Sequence, residues 1–121
     1  MKRLSLQMLA LAGSETWKGV SETDFQYAVK EHAEADGWAV MSWRKSASPG
    51  KDGRWRGLAA PGWPDLILVK GKRLLAVELK SEKGHVTPAQ RRWLKLLNGA
   101  GAESYIARPR DAAELIGILR G

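Results

Sequence analysis

Asp65, Glu78 and Lys80 are the residues whose types and spacing could do chemistry. They lie on two apolar runs rich in branched residues, 65–70 and 73–80, separated only by Gly71-Lys72. A two-residue connection with glycine first is a hairpin signal. With Gly71 and Lys72 as the turn, Lys70 faces Arg73 and Asp65 falls opposite Glu78. Directly opposed residues share a sheet face, with side chains roughly 5 Å apart. Lys80, two residues beyond Glu78, projects from the same face. The remainder of that face (Ile67, Val69, Leu74 and Ala76) is apolar. Two carboxylates side by side at its end repel each other and lose hydration, and a hard divalent cation removes the problem. Magnesium prefers carboxylate and water oxygens and lets a substrate phosphate complete its shell. An ammonium beside it can hold an attacking water and offset phosphate charge. A one-residue slip in the hairpin would send Glu78 to the other face, so the expectation depends on the turn.

The neighbouring segments must position these groups. Ser21 followed by Glu22, Thr23 and Asp24 reads as a capped helix start, and Phe25, Ala28, Val29, His32 and Ala33 trace one helical face before Gly37. His32 on that face reads as a packed histidine, and His85, between Gly84 and Val86, as a solvated loop residue. Trp38 to Trp43 reads as a strand, Thr87-Pro88 opens a helix running to Asn98-Gly99, Glu103 to Ala107 is a short strand, and Arg110-Asp111 starts a last helix to Arg120. This order predicts an α/β sandwich around a central mixed sheet. Between strand and hairpin, residues 44–62 hold Arg44, Lys45, Lys51, Arg54 and Arg56 against the single acid Asp52, together with Trp55. Cations neutralise phosphates and an indole stacks on an unpaired base, so this segment is a candidate DNA contact. Ser81, next to Lys80, either touches phosphate or only ends its strand.

Composition sets the outer limits. The 121 residues fit one domain, with 44% hydrophobic and 27% charged residues. The absence of cysteine excludes disulfides, thiolate zinc sites and cysteine-held iron–sulfur clusters, and two histidines are too few for a multi-histidine centre. A net charge of +7 suits a polyanionic partner, with nucleic acid the commonest. No apolar run reaches the ~20 residues that cross a bilayer. Met1-Lys2-Arg3 followed by Leu4 to Ala12 imitates a secretory signal, but Ser5 and Gln7 interrupt it. Leu4, Met8 and Leu11 recur at helical spacing, which favours an amphipathic arm over residues 1–20, packed on the domain or on a partner subunit.

Gly62-Trp63-Pro64-Asp65, then Glu78-Leu79-Lys80-Ser81, then Gln90 together resemble the virus-type replication-repair nuclease (VRR-NUC) domain of the PD-(D/E)XK nuclease superfamily, over roughly residues 21 to 108. The resemblance implies a restriction-endonuclease-like sandwich over 21–121 and a magnesium- or manganese-dependent phosphodiesterase. Asp65, Glu78 and the Leu79 carbonyl would bind metal and Lys80 would be the catalytic lysine. Glu22 resembles the family's additional acid and Gln90 its helix glutamine. Blander readings stand beside both: acids favour the first turn of any helix, and Gln90 shares its helix with Arg91, Arg92 and Lys95. The implied activity is structure-selective cleavage of branched DNA of the Holliday-junction kind by a homodimer, in the cytoplasm of a bacterial host if phage or prophage encoded. The alternatives are a nuclease for flaps, duplex or single strands, and a non-catalytic nucleic-acid-binding module.

Overall fold

The computed structural model describes residues 3–43 and 60–121. Three helices come first: α1 (Leu6–Leu11), α2 (Ser14–Lys18) and α3 (Glu22–Ala35). Strand β1 (Ala39–Ser42) follows, then the hairpin β2 (Leu66–Lys70) and β3 (Arg73–Leu79). Helix α4 (Pro88–Gly99), strand β4 (Glu103–Ala107), a 3₁₀ turn (Pro109–Asp111) and α5 (Ala112–Arg120) complete the chain. The sheet order is β1-β2-β3-β4, with β1, β2 and β3 antiparallel and β4 parallel to β3. A parallel neighbour requires a crossover, and α4 supplies it. This is the α/β architecture with a central mixed sheet that the order of elements predicted.

The hairpin has the register its turn dictates. Lys70 pairs with Arg73 and Leu66 with Val77. Gly71 takes a φ of 59°, the positive value that the first position of such a turn demands and that a side chain resists. This register sorts the strands into two unlike faces. Leu66, Leu68, Leu75, Val77 and Leu79 are buried with Phe25, Val29, Trp38, Leu115 and Leu119, beneath α1, α3 and α5. Each leucine or phenylalanine so buried contributes about 1.5–3 kcal/mol, so this layer holds the fold. On the opposite face α4 packs over β3 and β4. Ala76 and Glu78 beneath it are buried, whereas Val69 and Leu74 towards the turn stay half exposed.

α3 starts where the sequence places it: Ser21 Oγ accepts from the Asp24 N–H, and Phe25, Ala28, Val29 and Ala33 face the core. His32 is largely packed and lies 3.5 Å from Asp36. The apolar stripe expected in the N-terminal arm is corrected. Met8 and Leu11 are exposed, and Leu6 and Leu9 enter the core instead. Ser5 caps the helix, with its Oγ accepting from the Met8 N–H, so Leu4 precedes α1 and its spacing to Met8 is not helical. A helix of six residues turns less than twice and buries only one i, i+3 pair.

Candidate active site

Asp65, Glu78 and Lys80 are the buried polar or charged side chains among the described residues, at 6%, 1% and 7% exposure, and they lie together. Burying an ionised group is unfavourable unless it is paired or coordinated, so three at one place require an explanation beyond folding. The hairpin register brings the two acids side by side, since the β2–β3 pairing, extended by one residue, sets Asp65 against Glu78. Asp65 is anchored by its Oδ2, which accepts from the Leu79 N–H at 2.8 Å. Lys80 Nζ lies 3.7 Å from Glu78 Oε2. The Lys80 N–H in turn donates to the Ala107 carbonyl at 3.0 Å, which ties the end of the hairpin to β4.

A third carboxylate arrives from another element. Glu22 is the first residue of α3, and one oxygen each from Glu22, Asp65 and Glu78 lies within 4.8 Å of the others. Three acids and one lysine leave a formal charge of −2 on this group of described residues. All the side-chain donors are hard carboxylate oxygens, with neither thiolate nor imidazole among them. Such a set suits Mg²⁺ or Mn²⁺ and disfavours softer ions.

Gln90 is held by its own helix start. Thr87 Oγ1 accepts from the Gln90 N–H, and Gln90 Oε1 accepts from the Thr87 N–H at 2.8 Å, a complete capping box. With Oε1 committed to the cap, the amide nitrogen is the end left to face the site. Gln90 Nε2 donates to Glu78 Oε2 at 3.0 Å. Gln90 also lies on the inward stripe of α4 with Trp93, Leu94 and Leu97, not on its solvated side. The spacing Thr87-x-x-Gln90 is itself a capping-box pattern. It was the available signal that this glutamine has a fixed orientation.

Two features beyond the candidate ligands and catalytic groups shape the site, the first being the Gly62-Trp63 segment. Gly62 has a φ of 85°, and a Cβ there would fall 2.5 Å from the Ala89 carbonyl carbon in the first turn of α4. Only glycine lets the segment leading to Asp65 cross that close to the helix carrying Gln90. Trp63 sits between Trp43 and Trp93 with edge-on ring contacts at 6.0 and 5.1 Å, bracing the same junction. Arg108 is the second. Its Nη1 donates to the Ser81 carbonyl at 2.6 Å and the Gly84 carbonyl at 2.7 Å, fixing the turn that follows Lys80. No local pattern announces an arginine whose partners lie 24 and 27 residues away. Ser81 is half-buried in that turn, and His85 is exposed beyond it. Arg44, Lys45, Lys51, Arg54, Trp55 and Arg56 lie outside the described residues.

A mixed four-stranded sheet between helices, with two acids and a lysine at the end of one hairpin, defines an α/β domain with a candidate metal site. The chain belongs to the VRR-NUC domain family, whose model matches residues 22–111, and thereby to a nuclease superfamily. A solved structure described as a VRR_NUC domain is 25% identical, with a TM-score of 0.57 over 81% of this chain and 97% of that one. A second, described as a VRR_NUC domain protein, is 22% identical with a TM-score of 0.60 over 85% of this chain and 88% of that one, and bears on the fold alone. No curated protein matches the chain. Among the described residues no helix is long and apolar enough to cross a membrane.

Proposed function

We propose that the protein is a divalent-metal-dependent, structure-selective DNA endonuclease that hydrolyses phosphodiester bonds in branched DNA of the Holliday-junction kind, acting as a homodimer. The observation that carries this reading is the burial of Asp65, Glu78 and Lys80 at one place, with Glu22 completing three carboxylates within 4.8 Å. Asp65, Glu78 and Glu22 would hold Mg²⁺ or Mn²⁺. The Leu79 carbonyl would join them, because a strand residue directs its N–H and C=O to the same side and the Leu79 N–H points at Asp65. When bound, the cation supplies Lewis acidity and charge neutralisation at the scissile phosphate.

The protein's own groups do the rest. Lys80 holds the attacking water at its ammonium and offsets the negative charge that builds on the phosphate oxygens. Glu78 keeps Lys80 in place across 3.7 Å, and Gln90 fixes Glu78, so Gln90 is a positioning residue. Ser81, directly after Lys80, and the cations and Trp55 of the 44–56 segment complement the sugar–phosphate backbone by their chemistry. Among the described residues no helix reads as a groove-reading element, which favours recognition of shape over sequence.

The test is incubation of the protein with labelled four-way junction, flap, duplex and single-stranded DNA in Mg²⁺ or Mn²⁺. Junction cleavage is expected, abolished by chelator and reduced about 10²–10³-fold in Asp65→Asn and Lys80→Ala, on the scale of losing a preorganised charge-stabilising group. Cleavage that survives either substitution overturns the site assignment. Faster cutting of flap, duplex or single-stranded DNA than of the junction overturns the substrate assignment.

A further inference from the structure

The outward flank of α4 presents Arg91, Arg92 and Lys95, all exposed, on a helix with no acidic residue. Arg91 and Lys95 stand one turn apart, as do Arg92 and Lys95. Like charges at such spacings destabilise a helix by about 0.2–0.5 kcal/mol per pair. Arg91, at the end of the first turn, also opposes the helix dipole. Fold stability therefore does not account for them. Neither do ion pairs: Arg3, Lys18, Arg73 and Arg110 each have a carboxylate partner, whereas no carboxylate among the described residues pairs with these three. The Arg92 guanidinium lies instead 5.7 Å over the Trp93 ring.

The position of the flank matters as much as its charge. Arg91 follows Gln90, whose amide donates to Glu78 in the site. A rise of 1.5 Å per residue carries Lys95 roughly 7.5 Å along the axis from Gln90. Measured along a duplex axis, that is on the order of two nucleotide steps at about 3.4 Å each. Leu96, 48% exposed, lies beside the cations in one shallow groove with Pro88 and offers an apolar surface suited to sugar carbons.

We infer that this flank of α4 is a track for the sugar–phosphate backbone of DNA, holding the two or three phosphates that lead away from the scissile bond. The inference rests on the nuclease reading for its choice of polyanion, and it adds a binding surface to that reading. Its contacts are to phosphate, so it contributes affinity and register without sequence preference.

The experiment is equilibrium binding of the full chain to four-way junction and to duplex in EDTA, across a range of NaCl. Wild type is compared with the triple variant Arg91→Ala/Arg92→Ala/Lys95→Ala and with Arg91→Lys/Arg92→Lys. The triple variant is expected to bind at least 10-fold more weakly near 0.1 M salt. Its dependence of log K on log [salt] should be shallower by about 2–3, one unit per lost phosphate contact. The double lysine variant should keep the wild-type slope within about one unit, since charge is retained. The triple variant's melting temperature should stay level or rise, because repulsion is relieved. In Mg²⁺ its KM should rise while kcat stays within a few-fold. An unchanged salt slope in the triple variant, or no DNA binding by the wild type, overturns the inference. The two proposals fail separately. A wild type that binds through this flank but cuts no DNA removes the endonuclease reading alone, and one that cuts while the triple variant keeps its slope removes the track alone.

Discussion

Gln90 shows how much of the candidate site depends on one side chain being held at both ends. Its carbonyl oxygen is used by the cap and its amide nitrogen by Glu78, so neither end can exchange roles. Partners of metal ligands typically account for 10–100-fold in metal affinity or activity. Gln90→Met keeps the side chain's length and removes both hydrogen bonds. It is expected to weaken Mn²⁺ binding, measured by calorimetry on the DNA-free protein, by about 10–100-fold and to lower kcat similarly. Thr87→Ala makes the contrast: it removes the hydroxyl that accepts from the Gln90 N–H but leaves the Thr87 N–H that orients the amide. It should lower stability by about 1 kcal/mol, as lost caps do, while metal affinity stays within two-fold. Equal metal affinity in Gln90→Met and wild type would refute the positioning role. At this scale the sequence was legible where chemistry forced its hand. Asp65, Glu78 and Lys80 were readable because polar residues interrupted an apolar face at a register fixed by a two-residue turn. Arg108 was not, because its carbonyl partners are brought to it only by the pairing of β3 with β4.

Elements were legible in proportion to their length and the strength of their punctuation. α3, α4 and the hairpin carry caps, prolines or a turn glycine at their ends, and all three appear where those signals fall. α1 failed as a pattern because six residues cannot establish a period, and only packing against α5 and α3 decides which leucines turn inward. The junction of β3, β4 and α5 was equally hidden, since it is a tertiary assembly around Arg73. That guanidinium donates twice to Glu103 at 2.8 Å and once to the Ile118 carbonyl at 3.0 Å, and it lies 5.2 Å over the Trp38 ring. The paired hydrogen bonds from Arg73, with a further one from the Tyr105 hydroxyl, outweigh desolvation and hold the Glu103 carboxyl below the usual carboxylate range. Burial and the hydrogen bond to Glu103 push the Tyr105 hydroxyl up. A carboxylate whose pKa is lower folded than unfolded adds stability above its unfolded value, and the gain disappears as pH falls through the folded one. Glu103→Gln should therefore melt a few degrees below wild type at pH 7. The two curves should converge as pH falls below the ordinary carboxylate range. The pair is about one-third exposed, so the difference at neutral pH belongs near the ~1 kcal/mol upper end for surface pairs. Thermal melts from pH 7 to pH 3 check this, and a gap that persists at the lowest pH would mean that packing, not charge, carries the effect.

For the whole molecule, the deciding quantities are its net charge of +7 and the one cluster of three acids found among the described residues of each chain. A compact cationic domain gathers DNA through its summed field, yet that field cannot choose between a junction and a plain duplex. The proposed selection for a branch would have to come from geometry. A four-way junction is roughly two-fold symmetric, and a two-fold dimer presents two copies of one site to its two like strands. One site alone leaves a single nick, and a second cut then depends on a new encounter. Paired sites make that cut intramolecular, at an effective concentration reaching the millimolar range. A supercoiled plasmid bearing an extruded inverted repeat separates the two cases, because the first nick releases the superhelical strain that keeps the junction extruded. A dimer that cuts both strands within one residence should yield linear product from the earliest times in Mg²⁺, and should show twice the chain mass by light scattering. A monomer that cuts independently should accumulate nicked circles and little linear DNA. Mixing wild type with Asp65→Asn sharpens the comparison: heterodimers with one intact site should convert the product from linear to nicked as the variant fraction rises. A linear yield that falls only in proportion to the remaining wild-type dimer, without the appearance of nicked circles, would contradict two sites acting on one junction.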